Sequence, residues 1–167
     1  MPIWILRAAY WLHMAATIVW IGGLFFQAVI LAPVLSSASS TRDDPRFLEA
    51  VRRRFDPLAW LGLAVLIVTG LTQMSANPNY AGLLVIKNVW SVALLSKHLV
   101  IGLMILVAGY QSWVLYPQMN RGLLAQAAGT EVGADAGHLK RRQARTIRLN
   151  LVLGVIVLAL TAIARTA

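Results

Sequence analysis

Residues 11–26 read Trp11-Leu12-His13-Met14-Ala15-Ala16-Thr17-Ile18-Val19-Trp20-Ile21-Gly22-Gly23-Leu24-Phe25-Phe26, an apolar run interrupted by a single imidazole. With its neighbours on both sides this run exceeds the roughly 20 residues that carry a helix across a bilayer. A titratable side chain at such depth costs a few kcal/mol, so His13 points to a metal, a cofactor or protons. A second histidine, His98, lies in another apolar stretch, and the two together direct the functional reading.

The rest of the chain agrees with a membrane protein. Of its 167 residues, 59% are hydrophobic, and the mean hydropathy of +0.69 leaves too little polar surface to cover a soluble globule. Four segments are long and apolar enough to cross, at about 3–35, 57–76, 83–116 and 149–164. The expected fold is therefore all-α, an integral membrane four-helix bundle forming one domain over residues 1–167. Asp56-Pro57 reads as an N-cap followed by a first-turn proline. The stretch Pro45 to Phe55, with Phe47, Leu48, Val51 and Phe55 among arginines, reads as a short amphipathic helix at the membrane surface.

A net charge of +9 would suggest nucleic acid in a soluble protein. Here the distribution is the stronger signal. Of 15 basic residues, Arg42, Arg46, Arg52, Arg53 and Arg54 lie between segments one and two, and Arg121, Lys140, Arg141, Arg142, Arg145 and Arg148 between three and four. By the positive-inside rule both connections face the cytoplasm, with both termini outside the plasma membrane. No nucleic-acid partner is expected, because aromatic residues do not interleave the basic clusters. The expected partners are the lipid bilayer and either other membrane subunits or a second copy of the chain. Cysteine is absent, which excludes disulfides, iron–sulfur ligation and thiolate sites. The uncharged run after Arg7 far exceeds a signal peptide's apolar core, so no cleavage is expected. His138, among Lys140, Arg141 and Arg142 after an Ala- and Gly-rich stretch, reads as a solvated loop histidine.

Helical spacing groups the candidate site residues. His13 shares a face with Ala16, Thr17, Trp20 and Leu24, and His98 with Ser91, Leu94, Leu95, Gly102, Ile105 and Gly109. The glycines at +4 and +11 from His98 make a shallow trough, suited to close helix packing or to a flat macrocycle. If the third helix enters the membrane near Val89, each histidine is roughly 14 Å deep, and the pair suits a b-type haem held by His13 and His98 between helices one and three. Such a centre would take part in electron transfer. Copper is the alternative, although Met14 and Met104 are poorly placed to complete a soft site. Structural and proton-handling roles are further readings of the same histidines. Lys97 shares a stripe with Trp90, Met104 and Gln111 and is expected to face an anionic group of a ligand, which makes it the candidate catalytic residue.

Leu12-His13 with Trp20-Ile21-Gly22-Gly23-Leu24-Phe25-Phe26, then Arg53-Arg54-Phe55 leading into Leu66-Ile67-Val68-Thr69-Gly70-Leu71, then Lys97-His98-Leu99-Val100 closing on Tyr110 and Pro117, resemble the CopD-like copper-resistance membrane domain. They are also similar to the related haem-biosynthesis family HemJ, a protoporphyrinogen oxidase family. The resemblance implies a four-helix bundle, with copper handling in the first case and a b-type haem with a porphyrin substrate in the second. It maps a HemJ histidine onto His13 and a histidine–lysine pair, in inverted order, onto Lys97 and His98. Where HemJ proteins carry further histidines, this chain has Val34 and Gln111. The functions in contention are thus a haem electron carrier, a copper permease, a porphyrin oxidase and an accessory subunit of a larger redox complex.

Overall fold

A computed structural model describes residues 2–31, 33, 45–78, 80, 82, 85–86, 89–127 and 135–166; side chains at 45–49, 52, 123–127 and 135–136 are outside that description. Helix α1 spans Ile3–Phe25 and runs on into a π-helical segment, Phe26–Leu31. Helix α2 spans Pro45–Ser75. Helix α3, Val89–Tyr110, passes through a second π segment, Gln111–Leu115, into α4, Tyr116–Ala127. Helix α5 spans Asp135–Thr166. No strand occurs among the described residues, and four helical stretches are long and apolar enough to cross a membrane.

The crossing helices are where the hydropathy pattern puts them, but their ends are not. Helix α2 begins 12 residues before Pro57 and continues through it, so the expected surface helix is the first part of α2 and Asp56-Pro57 is not its start. A proline inside a helix removes one backbone hydrogen bond. Three consecutive arginines stand just before it, where the helix emerges from hydrocarbon, and a freed carbonyl there is not stranded in lipid. Helix α3 starts at Val89, later than Leu83, and α5 starts at Asp135, well before Leu149. His138 is accordingly an exposed residue on the first turns of α5 and not a loop residue. The expected exit at Ser36 to Thr41 and most of the Ala- and Gly-rich connection lie outside the described residues.

Packing joins two antiparallel hairpins. Helix α1 lies along α2 and α3 along α5, and contacts between α1 and α5 tie the pairs together. The core cluster is Trp20, Leu24, Leu63, Met104 and Leu153, one layer across the bundle. Outside it, Trp11, Ile18, Leu106 and Trp113 project outward, each about 70% exposed. Leaving a large apolar side chain in water forgoes about 2 kcal/mol each, so this surface is built for lipid.

Gly154 stands against that layer. A Cβ there would lie 3.6 Å from the Met104 methyl and 3.7 Å from Ile21 Cγ1, which is ordinary contact with no room beyond it. Gly154→Ala should therefore be close to neutral. Gly154→Leu should cost about 1–3 kcal/mol by overpacking, read as a lower thermal midpoint of the detergent-solubilised protein.

Candidate metal centre and a second polar chamber

His13 is held by α2. Its Nδ1 is 2.8 Å from Thr69 Oγ1, and the Thr69 hydroxyl is itself 2.6 Å from the Val65 carbonyl. A hydroxyl has one proton, and here it goes to the carbonyl, so Thr69 accepts from Nδ1–H. The lone pair of the neutral ring is then on Nε2. Gly70 gives the ring its space, since a Cβ at that position would lie 3.4 Å from His13 Cε1. One turn earlier, Gln73 Nε2 donates to the Ala9 carbonyl at 3.2 Å and fixes α1 against α2.

His98 reaches the same state differently. Its Nδ1 lies 2.7 Å from the Leu94 carbonyl of its own helix, and a carbonyl only accepts, so Nδ1 carries the proton and Nε2 the lone pair. Two imidazoles from different helices are thus both fixed in the tautomer that leaves Nε2 to ligate. That is how metal-binding histidines are oriented by their supporting groups.

By helical register the two histidines stand at nearly one level along the bundle. Ile21 and Met104 meet at Gly154, and α1 and α3 both follow α5 in the opposite sense. Counting eight residues back from each gives His13 and Ser96, so His98 is within two residues of the level of His13, about 3 Å along the axis. Helix α1 has α2 and α5 as its main neighbours, and α3 has α5, so the two histidines stand on helices bridged by others.

Other expected site residues are distributed as follows. Ala16 and Trp20 are buried, Trp20 in the core layer, and the Thr17 hydroxyl donates to the His13 carbonyl at 2.7 Å. Gly102 faces outward with nothing within 4 Å of a Cβ, whereas Gly109 is covered by the Trp113 ring at 3.1 Å. The two glycines therefore do not form one trough beside His98. Met14 is exposed, and Met104 belongs to the core, so neither supplies sulfur to the histidines. Among the described residues no group of three or more His, Cys, Asp or Glu side chains comes together.

Lys97 belongs to the inward stripe: Trp90, Met104 and Gln111, at sevens from it, are all buried. It stands with Arg165 close enough to His13 for both positive charges to act on the ring. Arg165 packs over Tyr10, 5.7 Å from its ring centroid, one turn before His13. Arg165 and Thr69 were not recognisable as site residues in the sequence. Thr69 is 56 residues from His13, and Arg165 looks like an ordinary basic residue at a helix end.

The opposite end of the bundle holds a cavity lined by residues of all four crossing helices, among them Gln27, Asp56, Trp60, Gln111, Ser112 and Asn150. Gln111 is 6% exposed and Asn150 1%. Both π segments border this chamber, and the extra residue in such a turn re-aims the side chains beyond it.

A family model described as "Copper resistance protein D" matches residues 49–164, more than half of the chain. The match takes in α2 to α5, including Lys97 and His98, and leaves α1 with His13 outside. No curated protein and no solved structure matches the chain.

Proposed function

The chain belongs to the copper resistance protein D family, and we propose that it binds copper within the membrane as cargo, with His13 and His98 as ligands through Nε2. The observation that carries this reading is that both intramembrane imidazoles have Nδ1 already bonded to the protein, and helical register puts the two residues at nearly one level. Imidazole suits copper, and copper binds nitrogen ligands more tightly than the neighbouring first-row ions do. Lys97 and Arg165 repel the ion, which holds its affinity below what the two imidazoles alone would give. The basic connections face the cytoplasm in this reading, so copper enters the site from the outer face.

Copper titration of the purified protein, with metal content measured after gel filtration, tests the proposal. A saturable site lost in both histidine variants is expected; binding that survives in both contradicts it. Thr69→Val probes the support of the ring. It keeps the side-chain shape and removes the acceptor for Nδ1–H, so copper affinity should fall roughly 10–100-fold with the thermal midpoint little changed.

A second reading is favoured by one observation. Lys97 and Arg165 lie near His13, and no acidic residue occurs between 57 and 130 or between 136 and 167 to neutralise them. Two cations beside two ligating imidazoles suit a b-type haem, whose two carboxylates they would pair. Its chemistry would be electron transfer by a low-spin iron. His13 and His98 would hold it and Lys97 and Arg165 would orient it.

A further inference from the structure

We propose that the chamber at the basic-loop end is a binding site for the ring of a quinone. Gln111 Nε2, Asn150 Nδ2 and Asn150 Oδ1 have no hydrogen-bond partner among the described residues, although both side chains are more than nine-tenths buried and line the cavity. A buried amide left unpaired costs about 1–3 kcal/mol, and two in one chamber mean that something else completes them. The unpaired atoms are two donors, on different helices, and one acceptor. They ask for a ligand that presents oxygen acceptors when oxidised and a hydroxyl donor when reduced.

The walls narrow the choice further. Trp20, Leu24 and Trp60 make much of the surface apolar, and Trp60 is held in place by stacking on Trp113 at 5.5 Å. Apolar walls with a few converging polar groups suit a flat, neutral, membrane-soluble molecule. A phosphate headgroup fits poorly, because Asp56 lines the chamber and, among the described residues, no lysine or arginine does. A metal ion fits poorly as well, since amide N–H groups repel cations and no His or Met among the described residues lines the cavity. An acyl chain would leave the amides unpaired. The chamber is on the far side of the core layer from His13, so the proposal stands independently of the copper site.

The test titrates the purified full chain with a decyl-substituted 1,4-benzoquinone, following tryptophan quenching and thermal midpoint, with decylbenzene as control. Saturable quenching and a raised midpoint are expected with the quinone only. Gln111→Met and Asn150→Leu should each weaken quinone binding about tenfold or more. Neither should lower the midpoint of the unliganded protein, because each removes an unpaired amide. A packing role would instead lower the midpoint and leave quinone affinity unchanged. Equal responses to quinone and decylbenzene, unaltered affinity in both variants, or no saturable binding because water alone fills the chamber would each overturn the proposal.

Discussion

Replacing His98 with alanine should lower copper affinity by more than about 100-fold while the four helices stay packed. Even a group that only supports a metal-binding histidine is worth roughly 10–100-fold, and His98 is proposed as a ligand itself. The fold should tolerate the change. His98 is hydrogen-bonded to the Leu94 carbonyl of its own helix, and the core layer of Trp20, Leu24, Leu63, Met104 and Leu153 does not include it. His13→Ala should cause a similar loss of copper and a larger loss of stability, because His13 also bonds across to Thr69. His138→Ala should change nothing, as that ring is exposed at the far end of α5. Equilibrium dialysis against a copper chelator and circular dichroism read the two quantities separately.

Lys97→Met should tighten copper binding by about tenfold. Two like charges several ångströms apart in a partly buried setting repel by a few kcal/mol at an effective dielectric near 20, and part of that is relieved when the ammonium is removed. Methionine keeps the length and fills the inward stripe between Trp90 and Met104. The sign of this effect separates the two readings. If Lys97 instead pairs an anionic group of a haem, the same substitution weakens cofactor retention.

Much of the architecture was legible because lipid imposes a simple rule: a crossing segment must satisfy its own backbone and present apolar side chains. Hydropathy alone therefore located all four spans. Periodicity grouped Trp90, Lys97, Met104 and Gln111 on one stripe at intervals of seven, and the structure buries the three companions of Lys97. Helix ends were not legible, because helices that leave the membrane lose the hydropathy signal without losing the helix. Pro57 illustrates the point: a residue that usually marks a start sits 12 residues inside α2. The π segments leave no mark in composition, and they border the chamber of Gln111 and Asn150.

At the candidate site, the sequence singled out both histidines but not what holds them. The Thr69 contact spans 56 positions and depends on how α1 lies against α2. The trough inferred from Gly102 and Gly109 fails for a similar reason, since an outward Trp113 folds back over one glycine and leaves the other open. Asn150 had a readable signal. It is an amide in the apolar run that α5 carries into the membrane, and a polar residue at that position asks for a partner or a ligand.

The proposed copper site at His13 and His98 stands or falls on one comparison. Metal analysis of the wild-type protein and of His98→Ala, purified in parallel from cells supplied with both copper and haem, tests it most directly when joined to an oxidised-minus-reduced absorption spectrum. About one copper per wild-type chain is expected, with its loss in His98→Ala and no Soret band in either. Equal copper in the two preparations, or iron with a Soret band in the wild type alone, would contradict it.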